Sequence, residues 1–402
     1  MRSATGSRAF AQPASTSSFN GRRATSSHSS GHHRHHPNGC GSAPAYAPSP
    51  ATLPPSYARS GEEEGIPLFA EGKAVHPAAP GYLAVDSGGS GLRVAVGAYD
   101  GAPPVEARSG QPVRTGERGI DPAHLLELVL PLARAVAAEA GVDELTTAVI
   151  GAAGFATLGD ALRAELPDAL TRALGVRTVA LAADAVTAYI GALGPRPGAV
   201  LAAGTGLIAI GTDLTTWRRA DGWGHLLGDC GGGAWIGRAG LEAALRAFDG
   251  RAGGSGPLLE RARERFGQPP ELPGLIYPRP DRAAVLASFA PEVAACAPHD
   301  PVATGILRAA ARHMAESVAA VCPRSGEPEV AWTGGLLKLG EPLLSFLRDE
   351  LAQQAPHARQ TAPQGDPLHG SSRLAAALAA GDAIWPEDPR LLCVSGAHKR
   401  AT

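Results

Sequence analysis

The chain has 402 residues, 44% of them hydrophobic and 18% charged, so it is long enough for two ordinary domains with a sizeable core. Its formal net charge of −2 gives no reason to expect a nucleic acid or an anionic membrane as a partner. No apolar stretch reaches the roughly 18 residues of a membrane-spanning helix. The five cysteines are scattered without metal-ligand spacing, which favours a reducing, cytoplasmic compartment.

Residues 1–77 differ in composition from the rest of the chain. They are rich in Ser, Ala, Pro, Gly and His, and no acidic residue precedes Glu62. Such a segment cannot bury enough apolar surface to offset its ordering entropy, so we expect a disordered tail. We interpret the histidine cluster at residues 32–36 as solvated rather than metal-binding. A transit peptide or a misassigned start codon remains a minor alternative.

The next part of the chain, residues 78–195, predicts a first lobe. Asp121 and Pro122 start a helix that should end near Gly141, since Asp is a good N-cap, Pro suits the first turn and Gly suits the end. A second helix is expected at 158–174, broken or bent near Pro167, and a third at 184–193. The apolar patterns predict strands at 82–86, 92–99, 105–108, 147–152 and 176–182. This order predicts a mixed sheet flanked by helices.

The pattern then starts again, which predicts a second lobe over residues 196–385. Strands are expected at 199–202, 207–211, 217–219 and 330–332, and helices at 234–248, 282–290, 301–321, 342–353 and 371–380. Residues 251–280 are rich in Gly and Pro and predict a loop or a short helical insertion. We expect the last helix to return toward the first lobe, and residues 386–402 to form a tail. The repeated strand–turn–strand opening indicates an internal duplication.

Three glycine turns, at residues 86–91, 203–206 and 333–337, each follow an apolar run that predicts a buried strand. Successive backbone N–H groups in such turns converge on an anion. No turn has the GxxxxGK[ST] or GxGxxG pattern, so neither a P-loop nor a dinucleotide fingerprint is present. We interpret the turns as an ATP site whose candidate residues are Gly88, Gly89, Ser90, Gly204, Thr205, Gly206, Gly334 and Gly335. An ordinary tight turn is the structural alternative at each place.

Residues 222–235 form the most distinctive segment, with six glycines and two tryptophans in fourteen positions. Glycine gathers where the backbone approaches a ligand or takes a positive φ. Indole faces and a carboxylate are suited to a sugar, so we predict a sugar-binding wall that contains Gly222, Trp223, Gly224 and Asp229. We expect His225 to be satisfied within the turn, and Cys230 to be a packing residue.

Two further aspartates lie at predicted strand ends. Asp86 is placed to hold Mg²⁺, through water, beside bound phosphates; an Asx-turn is the structural alternative. Asp184 follows an apolar strand, and ligands of open α/β sheets bind at that end. We predict that Asp184 is the general base for an alcohol acceptor and also contacts the sugar. It could equally cap the helix that follows.

These segments resemble motifs of the BadF/BadG/BcrA/BcrD-type ATPase family, and within it the N-acetylglucosamine kinases. DSGGSG (residues 86–91) and AGTG (203–206) resemble the two phosphate turns, AADA (182–185) the motif that carries the base, and TGGLL (333–337) the adenosine turn. GWGHLLGD (222–229) resembles the sugar signature and is the most specific of these motifs. The resemblance covers about residues 81–380.

The resemblance implies an α/β fold of two RNase H-like, actin-like ATPase lobes with mixed sheets around a central cleft. It implies an ATP- and Mg²⁺-dependent kinase that phosphorylates the 6-hydroxyl of an amino sugar, N-acetylglucosamine or glucosamine. The expected partner is a small sugar, with no nucleic acid or membrane, and a homodimer is an open option. Leu207 and Ile208 stand where the family commonly has a polar pair. A weakened sugar or nucleotide sensor is therefore the first alternative, and an ATPase coupled to a protein partner the second.

Overall fold

The computed structural model describes residues 79–88 and 91–396. The predicted tail at residues 1–77, including the histidine cluster, lies outside these residues, as do Gly89 and Ser90. The elements up to residue 193 are β1 (Pro80–Gly88), β2 (Gly91–Ala98), β3 (Val105–Ser109), β4 (Thr115–Gly116), β5 (Gly119–Ile120), α1 (Pro122–Ala140), β6 (Glu144–Ala152), α2 (Phe155–Leu158), α3 (Asp160–Leu174), β7 (Thr178–Ala183) and α4 (Asp184–Leu193).

The remaining elements begin after a short connection at residues 194–197. They are β8 (Gly198–Ala203), β9 (Leu207–Thr212), β10 (Trp217–Asp221), α5 (Gly233–Phe248), α6 (Gly256–Phe266), α7 (Leu272–Ile276), α8 (Arg282–Ala287), α9 (Ala290–Cys296), α10 (Pro301–Val321), β11 (Glu329–Thr333), α11 (Leu343–Gln354), β12 (Arg359–Gln360), α12 (Pro367–Ala380) and β13 (Leu392–Gly396). Short 3₁₀ turns lie at Pro269–Glu271 and Gly335–Leu339. No helix of the described ranges is both long and apolar enough to cross a membrane.

The two large sheets share one topology. The first has the order β13-β7-β6-β1-β2-β3, and the second β10-β9-β8-β11-β12. In the first sheet β1, β2 and β3 are antiparallel neighbours, and β6 runs parallel to β1. In the second sheet β8, β9 and β10 are antiparallel neighbours, and β11 runs parallel to β8. The two halves therefore repeat one fold unit. This confirms the predicted α/β architecture of two RNase H-like lobes.

Helix α4 lies between the two sheets. Val186, Tyr189 and Ile190 are fully buried in a core that includes β1 and β6 and also reaches Val200 and Ile210 of the second sheet. The Tyr189 ring meets Trp217 edge-on with ring centroids 5.2 Å apart. A second core, on the other face of the second sheet, is built with α5, α10 and α11. The helix that follows β7 is thus held from both lobes.

Helix α12 packs against α4, β1 and β6. The two helices approach so closely that a Cβ added to Gly370 would lie 1.9 Å from the Thr187 carbonyl oxygen and 2.6 Å from the Gly191 nitrogen. Ser371 also donates a buried hydrogen bond to the Val85 carbonyl on β1, at 3.1 Å. The last helix is therefore attached to the strand end that carries Asp86 and to the helix that begins with Asp184.

The Gly/Pro-rich insertion contains the eleven-residue helix α6, capped by Ser255, in agreement with the helical alternative predicted there. Two details differ from the sequence prediction. The helical break falls at Gly159, between α2 and α3, whereas Pro167 lies inside α3 without ending it. The predicted tail from residue 386 is wrong for β13, which pairs antiparallel with β7 at the sheet edge. Leu392 is buried, Cys393 and Val394 are half-buried, and the last two residues are exposed, so the segment has no alternating pattern that would mark a strand without its partner.

Candidate functional site

The parallel strands of the first sheet bring two aspartates to one edge. Ser87, Ala152 and Ala183 are register partners across β1, β6 and β7, so Asp86 and Asp184 flank the same row of residues. Neighbouring strands lie about 4.8 Å apart, which places the two strand ends within roughly 10 Å. The charge of Asp86 acts on the Asp184 carboxyl. The predicted base and the predicted metal ligand therefore belong to one site.

Asp184 is the first residue of α4. Its Oδ1 accepts a hydrogen bond from the Ala185 N–H at 2.9 Å, a local contact that also fits a helix-start role. Burial raises the pKa of the Asp184 carboxyl to about 6; the neighbouring Asp86 adds to the rise, and the Ala185 N–H opposes it. A carboxylate with this pKa is ionised at neutral pH and still basic enough to accept a proton.

Asp86 is held by Arg93, its register partner on β2. Arg93 donates to the same oxygen, Oδ2, through Nε at 3.1 Å and through Nη2 at 2.6 Å. The third nitrogen, Nη1, donates to Asp366, the N-cap of α12. Burial raises the pKa of the Asp86 carboxyl, and the Arg93 guanidinium opposes that rise. The predicted metal ligand is therefore an ion-pair partner as well.

The residues around Asp86 fit a magnesium ion shared with a nucleotide. Both Arg93 bonds use Oδ2, which leaves Oδ1 of Asp86 for a cation or its water. Within residues 79–88 and 91–396, no group of three or more His, Cys, Asp or Glu side chains could hold a metal by itself. Mg²⁺ usually takes one or two carboxylates and completes its shell with water and phosphate oxygens, so this donor set suits it.

The first glycine turn closes the β1–β2 hairpin. Gly88 and Gly91 are register partners, and the two residues between them, Gly89 and Ser90, lie outside the described residues. A Cβ on Gly88 would meet no atom of residues 79–88 or 91–396 within 4 Å. The approach of this turn to residues 203–206 stays a prediction.

The second glycine turn is held by the start of α5. The N–H groups of Gly233 and Ala234 donate to the carbonyls of Gly204 and Thr205 at 2.9 and 2.8 Å. The Gly204 N–H donates within the turn to the Gly206 carbonyl at 2.9 Å. With these groups engaged and Thr205 exposed, the Thr205 hydroxyl and N–H are the donors that an anion could use.

Asp229 joins the sugar wall to the second turn. Its Oδ1 accepts from the Gly224 N–H at 3.0 Å, and a Cβ on Gly206 would lie 2.3 Å from its Oδ2. Burial raises the pKa of the Asp229 carboxyl, and the N–H groups of Gly224 and Leu207 oppose the rise. The sugar wall and the second glycine turn, which the sequence predicted as separate segments, therefore both contact the Asp229 carboxylate.

The third turn lies beside the second. Gly334 has φ 109°, and a Cβ there would lie 2.1 Å from the Ala203 carbonyl oxygen, so only glycine fits. Gly334 and Gly335 are both exposed, and a Cβ on Gly335 would meet nothing within 4 Å. This flat, open backbone next to residues 203–206 is a suitable place for a nucleotide base.

Sequence reasoning missed Asp221, the last residue of β10. Its Oδ1 accepts from the Asp229 N–H at 2.6 Å and its Oδ2 from the Cys230 N–H at 2.8 Å. Asp221 and Asp229 both have positive φ, at 59° and 54°. Each such residue costs about 1–3 kcal/mol and persists only where its surroundings hold it. An aspartate directly before a glycine at a strand end was the signal available in the sequence.

The tip of the sugar wall is exposed. Trp223 is 62% exposed, and the Arg219 guanidinium stacks on its ring, 4.1 Å from the centroid. Arg219 also donates to the Asp221 carbonyl at 3.0 Å. The His225 Nε2 atom is buried without a hydrogen-bond partner among the described residues, so the prediction that the turn satisfies His225 is wrong for that atom. Burial raises the pKa of the Cys230 thiol, which agrees with a packing role.

Two RNase H-like lobes, with carboxylates at the strand ends of the first and glycine turns grouped in the second, define a protein with the actin-like ATPase fold. The family model of the BadF/BadG/BcrA/BcrD ATPase family matches residues 83–375. The chain belongs to that family, and the matched range includes Asp86, Asp184 and Asp229.

Individual relatives agree with this assignment. An N-acetylmuramic acid/N-acetylglucosamine kinase from Clostridium acetobutylicum is 33% identical over 121 residues, which are 30% of this chain and 38% of that protein. The match thus spans less than half of the relative's length. A provisionally assigned N-acetylglucosamine kinase structure from Chromobacterium violaceum is 28% identical, with TM-score 0.60, over 75% of this chain and all of the other. One from Porphyromonas gingivalis, at 17% identity and TM-score 0.54 over 72% and 96% of the two chains, shares the fold.

Proposed function

We propose that the chain is an ATP- and Mg²⁺-dependent kinase that phosphorylates the 6-hydroxyl of an amino sugar, N-acetylglucosamine or glucosamine. The observation that carries the proposal is the position of Asp184 beside Asp86 at one sheet edge, where burial raises the pKa of the Asp184 carboxyl to about 6. Membership of the family supports the use of ATP. The names of two similar proteins, the Clostridium acetobutylicum kinase and the Chromobacterium violaceum structure, support the sugar class.

In this mechanism Asp184 accepts the proton of the sugar hydroxyl as the hydroxyl oxygen attacks the γ-phosphorus of ATP. The bond between the γ-phosphorus and the β–γ bridging oxygen breaks, and ADP leaves. A base in this position contributes typically ~10²–10⁴-fold to the rate. Oδ1 of Asp86 would hold Mg²⁺ through water, and the ion would neutralise charge on the phosphates. Backbone N–H groups of the first phosphate turn, at residues 88–90, and the N–H and hydroxyl of Thr205 in the second would stabilise the transferring phosphoryl group, because preorganised donors need not reorient as charge develops.

The sugar lies against the wall of Gly222, Trp223, Gly224 and Asp229. The exposed indole of Trp223 offers an apolar face to the ring, and the remaining lone pairs of Asp229 accept from hydroxyls. The nucleotide base lies over Gly334 and Gly335. Because Asp229 contacts both the wall and Gly206, the acceptor and the phosphates are positioned from one carboxylate.

A sensor that binds sugar and nucleotide without efficient turnover is the second candidate. The observation that favours it is the double hydrogen bond from Arg93 to Asp86, which competes with a metal ion for that carboxylate. Ile208 adds to the case, because its side chain faces Gly222 where the family commonly has a polar residue. The free cysteines among the described residues support a reducing, cytoplasmic setting for either activity.

An ADP-release assay across a hexose panel separates the candidates. The panel should include N-acetylglucosamine, glucosamine, N-acetylmuramic acid and glucose, each with and without Mg²⁺. Release that requires an amino sugar and Mg²⁺ supports the kinase, and NMR of the product identifies the phosphorylated hydroxyl. Sugar binding without ADP release supports the sensor. Sugar-independent release would point to an ATPase coupled to another partner and would overturn both.

A further inference from the structure

Asp221 holds together the segment that bears the sugar wall. It ends β10, and its two carboxylate oxygens accept from consecutive backbone N–H groups, those of Asp229 and Cys230. Asp229 lies eight positions after Asp221, so these bonds close the whole loop that carries Trp223 and Gly224. An aspartate that takes two successive amides in this way fixes the direction of the chain at both.

The backbone at Asp229 needs this support. Its positive φ of 54° is unfavourable for a residue with a side chain, and Asp221 has a positive φ of its own. Asp229 is also buried, and burial raises the pKa of its carboxyl. The bonds from Asp221 therefore oppose the tendency of Asp229 to relax into an ordinary conformation, which would turn its carboxylate away.

The Asp229 carboxylate reaches two elements with two oxygens. Oδ1 accepts from the Gly224 N–H in the wall, and Oδ2 lies against Gly206 in the second phosphate turn. The N–H groups of Gly233 and Ala234, just beyond, hold the carbonyls of that turn. A continuous set of contacts thus runs from Asp221 through Asp229 to residues 204–206.

We infer that Asp221 is a positioning residue that makes the sugar wall and the second phosphate turn one unit, so that sugar and nucleotide each strengthen the binding of the other through Asp229. The inference rests on the proposed function for the identity of the two ligands. The Asp221 backbone pairs with Ile208 on β9, but its carboxylate bonds the N–H groups of Asp229 and Cys230, so the side chain acts on the turn through Asp229. By reciprocity, whatever factor the nucleotide adds to sugar affinity, the sugar adds to nucleotide affinity.

The test compares Asp221→Asn with Asp213→Asn. An Asn at 221 offers one acceptor oxygen and an NH₂ group, so at least one of the two amides loses its partner. Asp213 is the matched control, because its Oδ1 accepts from the N–H groups of Thr215 and Thr216 in the loop at the other end of the β9–β10 pair. Gly228→Ala is a second route to the same change, since its Cβ would lie 2.4 Å from Oδ1 of Asp221.

The first readout is the dissociation constant of N-acetylglucosamine by calorimetry, with and without Mg²⁺ and the β,γ-imido analogue of ATP. We expect the nucleotide to tighten sugar binding in the wild type by roughly 5-fold or more. That ratio should fall to about 1 in Asp221→Asn and Gly228→Ala and stay unchanged in Asp213→Asn. A loop that is merely loosened would weaken sugar binding and keep the ratio, and that result overturns the inference.

The second readout needs no ligand. Hydrogen exchange of residues 203–207 should become faster in Asp221→Asn and not in Asp213→Asn, although the Asp221 carboxylate bonds Asp229 and Cys230 rather than these residues. Unchanged exchange there overturns the inference even if sugar affinity falls. If the wild-type protein binds none of the amino sugars, the proposed function is wrong, but the inference about Asp221 is not thereby overturned. The exchange measurement still decides whether Asp221 controls the second phosphate turn.

Discussion

Arg93 donates two hydrogen bonds to a single oxygen of Asp86, directly across the β1–β2 hairpin, and its third nitrogen reaches Asp366 at the start of α12. The side chain of Asp86 is 15% exposed and that of Arg93 34%. This geometry compensates the Asp86 charge and yet leaves Oδ1 available. It also ties the candidate metal ligand to a helix that lies about 280 residues later in the chain.

We expect Arg93→Gln to lower stability and to weaken the use of Mg²⁺-ATP. Removal of the guanidinium would raise the pKa of Asp86 further, because burial would then act without its main opposing partner. The native state would hold a proton to higher pH, so the loss of stability should be larger at pH 7 than at pH 5. Because the pair is partly exposed, we expect about 1–2 kcal/mol in urea unfolding at pH 7.

Arg108→Gln is the matched control for that variant. Arg108 is exposed on β3 and is the register partner of Arg93, so it has the same chemistry on the same sheet. Its change should stay within about 0.5 kcal/mol. Equal stability of Arg93→Gln and Arg108→Gln at pH 7, together with an unchanged Mg²⁺ requirement, would show that the Arg93 bonds do not matter to the site.

Asp184→Asn should remove turnover and spare nucleotide binding. The amide cannot accept the hydroxyl proton, so kcat should fall by about 10²–10⁴-fold. The candidate nucleotide contacts lie on residues 204–206 and 334–335, so ATP affinity by calorimetry should change by less than about threefold. Asp168→Asn, an exposed aspartate on α3, controls for the loss of a charge. Retained turnover in Asp184→Asn would refute the assignment of the base.

The pH dependence of kcat/KM should follow the ionisation of the Asp184 carboxyl. Asp184 must be ionised to act as a base, and its pKa is raised to about 6, chiefly by burial. Activity should therefore be constant above about pH 7 and fall about tenfold per pH unit well below pH 6. An acid limb near pH 4, where an ordinary Asp titrates, would contradict this pKa or the role of Asp184.

Elements with strong local signals could be predicted from the sequence. Helices α4 and α10 have the predicted limits, since each starts at a clear signal and has a dense apolar pattern. The predicted helix does not break at Pro167, which lies at a half-buried position inside α3. It is interrupted at Gly159, between two helices whose contacts depend on the tertiary fold. Strand β13 was missed because its evidence is its pairing with β7.

In the candidate site, too, the sequence predicted residues with a local signal and missed contacts that depend on the tertiary fold. The sequence marked Asp86, Asp184 and Asp229 because each lies at a turn or strand end, and the structure brings the first two to one edge. It did not indicate that Arg93 would bond Asp86, because that contact depends on hairpin register, or that Asp221 would hold Asp229. Contacts between side chains and distant backbone groups follow from the folded geometry, and no local pattern encodes them.

Gly206→Ala should destabilise the protein and weaken sugar and nucleotide binding together. Its Cβ would lie 2.3 Å from Oδ2 of Asp229, so the carboxylate must move from its place between the wall and the turn. We expect a loss of about 1–3 kcal/mol by urea unfolding. Gly204→Ala, two residues away, would meet nothing within 4 Å and should change stability little. Equal stability of the two variants would mean that Asp229 is not confined by the turn.

The crossing of α4 and α12 gives the sharpest test of the fold around the base. A Cβ at Gly370 would lie 1.9 Å from the Thr187 carbonyl oxygen, and neither backbone can yield without separating the helices. Gly370→Ala should therefore cost more than about 3 kcal/mol by urea unfolding, at the upper end for overpacking. Gly305→Ala is the opposite case, because Gly305 lies on an exposed face of α10 with open space around it. That variant should gain about 0.5–1 kcal/mol from helix propensity. Since Asp184 begins α4, any Gly370→Ala protein that folds should lose turnover before it loses nucleotide affinity, and full activity in that variant would contradict the close helix contact.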